Sequence, residues 1–332
     1  MTSTSPWGLS RATSLRRFLC VLAAIVGMDT VACQARAQGV TEFALPRSES
    51  LPHRIALGAD GNMWFTEQTG HSIGRISPAG VISEFPLPQG RNSFAIAAGP
   101  DGNMWFTEAR SNRIGRIDPS GAIVEFSTGL SSRSNPGEIT AGPDRALWFL
   151  DQDGGKIGRI TTSGAIAEFP VVDGSTLNGI ASDSKNVWFT VGVPTYEVGV
   201  FNVRSHAVKT FAMPEGSSFP EGIAIERNGT VWFTLPNDHL VGKIGAGAKI
   251  VTFTLPDDGG YPGSPSQIVA GPDGNIWFTE FNQSRVGRID ADGKLTEYSD
   301  GISSMSSPDG LAFGRDGNVW FTEYNGNQIG KL

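Results

Sequence analysis

The side chains best suited to acid–base or metal chemistry in this 332-residue chain are a few histidines and a repeated set of carboxylates. There are only 4 histidines, and His53 follows Pro52 at the start of a short apolar segment. Acidic residues end five copies of a repeated aromatic segment: Glu67, Glu108, Asp151, Glu280 and Glu323. Histidine can act as a general base near neutral pH, and carboxylate oxygens suit Mg²⁺ or Ca²⁺. These residues could therefore support proton transfer or divalent-cation binding.

The acidic residues belong to a repeat whose clearest copy is the segment 99–108, Gly-Pro-Asp-Gly-Asn-Met-Trp-Phe-Thr-Glu. Its tryptophan recurs every 40 to 45 residues: Trp64, Trp105, Trp148, Trp188, Trp232, Trp277 and Trp320. Such a period is typical of repeat architectures. Each copy contains four short segments rich in β-branched and aromatic residues, which we name strands A to D, separated by Gly- and Asp-rich turns. Because no segment after residue 37 shows a convincing apolar period of 3.6 residues, which helices require, we predict an all-β protein.

Seven four-stranded sheets can bury one another's faces when they are arranged radially, as in a β-propeller. The last copy ends at Leu332 in a strand C, and the missing strand D lies at the other end of the chain, at about residues 40–46. We therefore predict a seven-bladed propeller whose N-terminal strand completes the last blade. Strand C carries a glycine in every copy, such as Gly74, which predicts close approach of a large side chain. We expect that side chain to be the indole of an adjacent blade.

Residues 1–37 resemble a secretory signal peptide, with arginines before an apolar run that is too short to span a membrane. An uncleaved N-terminal anchor is the alternative. Both cysteines, Cys20 and Cys33, lie in this leader, so the single domain predicted over residues 38–332 has neither a disulfide nor a catalytic thiol. A formal net charge of −7 without a basic stripe disfavours nucleic acid and anionic membranes as partners. We expect an exported monomer with no membrane span in the mature chain.

The predicted ring brings distant residues together at one end of its tunnel. Strand A is innermost in such a propeller, and the D–A and B–C loops emerge on the same face. The positions that open strand A are His53, Phe94, Gly137, Asn178, Glu221, Ser266 and Asp309. Because blade seven adjoins blade one, we expect Asp309 to lie beside His53 and to orient it as a general base. A histidine that merely caps a strand start at a wet tunnel mouth is the open alternative.

The acidic ends of strand B suggest a divalent-cation site at the same mouth, for which we name Glu67 and Glu323 as candidate ligands. The alternative is structural: an acidic residue that recurs by repetition can hydrogen-bond a loop backbone in each blade. Candidate substrate-binding residues at or near the mouth are Arg54, His71, Glu221 and Gln267.

Three repeated phrases, Trp-Phe-Thr-Glu, Ile-Gly-Arg-Ile and Glu-Phe-x-Leu-Pro, and a Pro-His-x-Ile strand start resemble those of virginiamycin B lyases, also called streptogramin B lyases. The resemblance covers the whole mature chain. It implies a seven-bladed propeller that opens a cyclic depsipeptide at its ester bond by elimination, with a divalent metal, usually Mg²⁺, and a histidine as base and proton donor. The family carries Pro-His-x-Ile in its last two repeats, where this chain has Pro-Ser-Gln-Ile at 265–268 and Pro-Asp-Gly-Leu at 308–311. Its one Pro-His-x-Ile is at 52–55.

Two functions follow from these observations. The first is an exported carbon–oxygen lyase that opens a cyclic depsipeptide or related ester, with His53, Asp309 and Glu323 as catalytic residues and carboxylates holding Mg²⁺. The alternative is a non-catalytic exported propeller that binds a protein, glycan or peptide at its tunnel face, which the missing family histidines favour. A six-bladed lactonase is disfavoured by the number of repeats.

Overall fold

Seven antiparallel sheets, each of four strands, surround a central tunnel in this computed structural model, which describes residues 39–132, 134–257 and 262–332. In chain order the strands are β1 (Thr41–Ala44), β2 (Pro52–Leu57), β3 (Met63–Glu67), β4 (Ser72–Ile76), β5 (Ile82–Pro86), β6 (Ile96–Ala98), β7 (Met104–Glu108), β8 (Arg113–Ile117), β9 (Ile123–Phe126), β10 (Pro136–Ala141), β11 (Leu147–Asp151), β12 (Lys156–Ile160), β13 (Ile166–Pro170), β14 (Leu177–Ser182), β15 (Asn186–Val191), β16 (Glu197–Asn202), β17 (Val208–Ala212), β18 (Ile223–Ile225), β19 (Val231–Leu235), β20 (Leu240–Ile244), β21 (Ile250–Thr254), β22 (Pro265–Ala270), β23 (Ile276–Glu280), β24 (Arg285–Ile289), β25 (Leu295–Tyr298), β26 (Pro308–Phe313), β27 (Val319–Glu323) and β28 (Gln328–Lys331).

The strand order confirms the predicted ring. Consecutive groups of four strands from β2 to β25 form blades one to six, and blade seven has the order β1-β28-β27-β26. In it Phe43 pairs with Ile329, so the N-terminal strand closes the ring as expected. Gly39–Leu332 forms one unit. The predicted leader lies outside the described residues.

Helix is almost absent from the described chain, which confirms the all-β prediction. It consists of four single 3₁₀ turns at Pro88–Gly90, Ala109–Ser111, Pro236–Asp238 and Ala246–Ala248. Within the ranges given above, no helix has the length and apolar character needed to span a membrane.

The tryptophan of each repeat joins its own blade to the next one. Trp64 donates from Nε1 to Asp60 of the preceding turn at 3.1 Å and stacks on Phe85 of strand D, with 5.3 Å between ring centroids. It belongs to a hydrophobic cluster that includes Ile96 and Phe106 of blade two. Since Trp64 and Phe106 are almost fully buried, the core consists of apolar layers between neighbouring blades.

The strand-C glycine makes room for a phenylalanine of its own blade, so the expected indole of an adjacent blade was the wrong partner. Gly74 pairs with Phe65, and a Cβ added to Gly74 would lie 2.0 Å from the Phe65 ring. Successive side chains in a strand point to opposite faces. Trp64 therefore faces the next blade while Phe65 covers the strand-C backbone of its own sheet.

The threonine of the repeated phrase ties neighbouring blades together around the tunnel. Thr66 Oγ1 accepts a hydrogen bond from Arg54 N at 3.0 Å and donates to Phe94 O of blade two at 2.9 Å. The same two bonds are made by Thr190, Thr234, Thr279 and Thr322. The backbone at the start of strand A is thereby held in five blades, and this backbone carries the site described next.

Candidate functional site

A β-bulge opens strand A in five of the blades, at the tunnel mouth. In blade one the pairing passes from Pro52 opposite Glu67 to Ile55 opposite Phe65, so two residues, His53 and Arg54, lie opposite one. A bulge bends the strand and re-aims its side chains. Here it brings two successive side chains, an imidazole and a guanidinium, into one polar cluster.

The imidazole of His53 is held by backbone on one side and faces a carboxylate on the other. Its Nδ1 lies 2.8 Å from Phe94 O, and since a carbonyl only accepts, Nδ1 carries a proton. Its Nε2 lies 3.3 Å from Asp309 Oδ2, the contact that the ring order predicted. Burial, and then the charge of Arg54, lower the pKa of His53. In the neutral imidazole Nε2 has no proton to donate to Asp309, so this contact becomes a hydrogen bond only when Nε2 takes up a proton, as a general base does.

The guanidinium of Arg54 bridges two carboxylates. Its Nε lies 2.6 Å from Glu138 Oε1, and its Nη1 lies 2.6 Å from Asp309 Oδ1. Burial lowers the pKa of Arg54, but Asp309 and Glu138 more than offset this and leave it above its ordinary value. Burial raises the pKa of Asp309, yet Arg54 and then His53 outweigh it and hold that pKa below its usual range. The bridge is therefore an ion-paired group that remains charged.

A serine links a third carboxyl to this group. Ser266 Oγ lies 3.1 Å from Glu221 Oε1 and 3.0 Å from Asp309 Oδ1. A hydroxyl has one proton, so it can donate to only one of these carboxylates at a time. Burial raises the pKa of Glu221, although Arg54 partly opposes the effect. We name the set formed by His53, Arg54, Glu138, Glu221, Ser266 and Asp309 the mouth cluster.

A cavity of about 430 Å³ opens over the mouth cluster. Its wall combines aromatic rings with side-chain amides: Phe219, Phe281, Tyr324, Gln68, Asn237 and Asn282. A second cavity of about 320 Å³ shares Gln68 and Tyr324, and the Tyr324 hydroxyl donates to Gln68 Oε1 at 3.1 Å. Cavities that combine apolar surface with convergent polar groups are typical of small-molecule sites.

Four of the predicted site residues meet in the mouth cluster: His53, Arg54, Glu221 and Asp309. Gln267 lines a narrow space of the tunnel beside Arg54 and Glu138. His71 is exposed in the B–C turn of blade one and is not among the residues that line the 430 Å³ cavity. Its assignment as a substrate contact stays a prediction.

Glu67 and Glu323 are completely buried within their own blades, next to glutamates of strand D. Burial and then Glu84 raise the pKa of Glu67 to about 7. Burial and then Glu42 raise the pKa of Glu323 to about 8. In blade three the structural role foreseen for these acidic residues is seen, because Asp151 accepts from the backbone N of Asn135 at 3.0 Å.

A divalent metal does not fit the described side chains well. No group of three or more His, Cys, Asp or Glu residues among them is placed to hold a metal ion. At the mouth, Glu138 Oε1 and Asp309 Oδ1 already accept hydrogen bonds from Arg54, and Asp309 Oδ1 also lies within reach of Ser266. Mg²⁺ needs oxygen ligands in octahedral geometry, and here those oxygens are occupied. The Mg²⁺ site at Glu67 and Glu323 stays a prediction that this geometry does not favour.

Sequence reasoning missed three residues of the site. Two of them directly follow the acidic residue that ends strand B, and the third lies in a β-bulge. Gln68 and Tyr324 come directly after Glu67 and Glu323 and face the cavity, because side-chain direction alternates along a strand. A strict period of two, continued one residue past the repeated phrase, could have found them. Glu138 lies in the bulge of blade three, which interrupts that period and which no residue type announces.

Comparisons with known proteins agree with this fold. A family model described as "Virginiamycin B lyase family" matches residues 28–200 and 176–332. A curated virginiamycin B lyase of Bordetella pertussis is 45% identical over 49 residues, which is 15% of this chain and only 16% of that relative. A solved streptogramin B lyase has 29% identity and a TM-score of 0.80, over 88% of this chain and 96% of that one. A catalytically inactive histidine-to-alanine variant of virginiamycin B lyase from Staphylococcus aureus, solved with quinupristin, has 30% identity and a TM-score of 0.79, over 88% and 98%.

Proposed function

Because the chain belongs to the virginiamycin B lyase family, we propose that it is an exported carbon–oxygen lyase that opens a cyclic depsipeptide or a related ester by elimination. The observation that carries this proposal is the buried His53, whose Nδ1 is fixed by Phe94 O and whose Nε2 lies beside Asp309. The Staphylococcus aureus relative whose histidine-to-alanine variant is catalytically inactive supports a role for a histidine.

The proposed reaction begins with proton transfer to His53 Nε2. The proton comes from the carbon next to the one that bears the ester oxygen. The electrons of that C–H bond form a C=C bond, and the carbon–oxygen bond breaks with its electron pair on the leaving carboxylate. The imidazolium that forms is stabilised by Asp309, which lies 3.3 Å from Nε2. No water is added, so the ring opens without a change in mass.

The cavity over the mouth cluster is suited to such a ligand. Its aromatic rings, among them Phe281 and Tyr324, can pack against apolar side chains of a cyclic peptide. Gln68, Asn237 and Asn282 can exchange hydrogen bonds with peptide groups because each amide both donates and accepts. We do not extend the proposed chemistry to Glu323, since its carboxyl is enclosed in blade seven.

Incubation of the purified chain with quinupristin, followed by chromatography and tandem mass spectrometry, tests the proposal. A linear product of unchanged mass is the expected result. A product heavier by one water would mean hydrolysis instead. Binding of intact quinupristin without turnover would favour the non-catalytic propeller, which the absence of histidine at Ser266 and Asp309 makes the second candidate.

His53→Ala should lower turnover by about 10²–10⁴-fold, the usual contribution of a general base. His206→Ala is the matched control, because His206 is exposed and packs on Phe169 and Phe201 away from the cavity. Equal turnover of the two variants would reject His53 as the base. Export is tested separately by sequencing the N-terminus of the protein recovered outside the cytoplasm, since residues 1–37 lie outside the described chain.

A further inference from the structure

We infer that Arg54 is the resident cation of the mouth cluster and that this site works without a bound divalent metal. Two carboxylates on opposite sides, those of Glu138 in blade three and Asp309 in blade seven, converge on its guanidinium. Both N···O distances are 2.6 Å, typical of short charge-assisted hydrogen bonds. Three blades of the ring thus contribute side chains to one buried ion-paired group.

The position of Arg54 is fixed by the fold. Its backbone N donates to Thr66 Oγ1, and its side chain lies in the β-bulge that also presents His53. The guanidinium is buried, with 9% of the residue exposed, and both carboxylates are buried to a similar degree. A cation in so enclosed a place is retained only when its partners neutralise it, and here they do.

The guanidinium and a divalent cation would compete for the same oxygens. Asp309 Oδ1 already accepts from Arg54 and lies within reach of Ser266, and Glu138 Oε1 accepts from Arg54. A metal bound to either oxygen would lie beside a fixed positive charge, where the two cations repel each other. The described side chains accordingly offer no separate group of three metal-binding residues.

Arg54 also lines the 430 Å³ cavity, so its guanidinium can donate hydrogen bonds to a ligand there. A guanidinium has five N–H groups, and two of them are used by Glu138 and Asp309. If the proposed elimination is correct, the remaining N–H groups would face the leaving carboxylate and stabilise its charge. This last step rests on the proposed function, whereas the exclusion of a metal does not.

Mn²⁺ titration of the full chain without substrate, followed by electron paramagnetic resonance and calorimetry, tests the inference. The protein is first treated with EDTA and then freed of it. We expect wild type to show no saturable Mn²⁺ binding that depends on Asp309, and the same melting temperature before and after EDTA. Arg54→Met removes the charge but keeps much of the volume, and it should gain Mn²⁺ affinity by at least about 10-fold, since ligand charge sets the affinity of such sites.

The controls separate the inference from the proposed activity. Arg54→Lys keeps a positive charge and should bind Mn²⁺ no better than wild type, and Arg54→Met combined with Asp309→Asn should lose the gained affinity. Saturable Mn²⁺ binding to wild type that weakens on Asp309→Asn would overturn the inference, as would a folded Arg54→Met that binds no Mn²⁺. If Arg54→Met does not fold, the wild-type titration alone decides. None of these readouts requires turnover, so loss of the proposed lyase function would leave them unchanged.

Discussion

At the tunnel mouth the buried carboxyl of Asp309 lies between Arg54 and His53, whereas the buried carboxyl of Glu108 inside blade two lies against a second carboxyl, that of Glu125. The two are similarly buried, with 5% and 0% of the residue exposed. Their pKa values nevertheless move in opposite directions. Arg54 and His53 outweigh burial and lower the pKa of Asp309, whereas burial and then Glu125 raise the pKa of Glu108 to about 8.

This difference shows that burial alone does not decide the charge of a carboxyl in this protein. Neither oxygen of Glu108 accepts a hydrogen bond from the donors of the described chain. Near neutral pH a proton held by the Glu108–Glu125 pair avoids two adjacent negative charges. Arg91 lies 3.9 Å from Glu108 Oε2 and pairs with Glu125 instead, whereas at the mouth Arg54 lies 2.6 Å from Asp309 and keeps that carboxyl ionised.

The largest effect is expected when the charge balance of the mouth is broken. Asp309→Asn should lower the free energy of unfolding by about 3 kcal/mol, the lower end of the range for removing one partner of a buried ion pair, because Glu138 still neutralises Arg54. Chemical denaturation at pH 7 measures the change. A loss well below 1 kcal/mol would show that the Arg54–Asp309 pair contributes little to stability.

A smaller effect, dependent on pH, is expected from the carboxyl pair in blade two. Glu108 is protonated in the folded chain below about pH 8 and ionised in the unfolded chain above about pH 4.3. The contribution of Glu108 to stability is therefore fully present below its pKa in the unfolded chain. It is lost as the pH rises through its pKa in the folded chain, by about 1.4 kcal/mol per pH unit. Glutamine has the shape of glutamate but does not ionise. Between pH 5 and 8, the free energy of unfolding of the Glu108→Gln variant should therefore fall less than that of the wild type.

Blade three provides the control for this measurement. Glu168 occupies the strand-D position there, and although burial raises its pKa, hydrogen bonds from Ser131 and Lys156 outweigh burial and lower it. Glu168→Gln should therefore leave the slope between pH 5 and 8 unchanged. If Glu108→Gln and Glu168→Gln both reduce the dependence of unfolding free energy on pH, or if neither does, the contrast between the two kinds of carboxyl would be wrong.

The smallest effect is expected at the edge of blade three. Lys156 Nζ lies 3.3 Å from Glu168 Oε2, but 31% of the lysine side chain is exposed. Such partly exposed pairs contribute about 0.2–1 kcal/mol. Lys156→Met should therefore lower the unfolding free energy by less than 1 kcal/mol, with most of the loss suppressed in high salt. A loss as large as that of Asp309→Asn, measured by the same denaturation, would remove the distinction between enclosed and open ion pairs.

Much of the fold could be predicted because each repeat contains the same pattern of strands and turns. The spacing of residues such as Trp64 and Trp105 predicted seven blades, and the unpaired strand near Phe43 predicted how the ring closes. The site was predicted only where ring order alone places residues, as for His53 and Asp309. Glu138 was missed because it reaches Arg54 from blade three through a bulge, and bulges break the period on which sequence reasoning depends.

The sequence by itself determined the number of blades, the closure of the ring and the neighbours of each strand, because these follow from a local pattern repeated along the chain. Tertiary structure alone decided which carboxyls are charged. Glu67 and Asp309 are both acidic residues at strand ends beside the mouth, yet one lies against a carboxyl and the other against Arg54. The charge of a buried group depends on neighbours from other strands and blades, whose distances no single repeat contains.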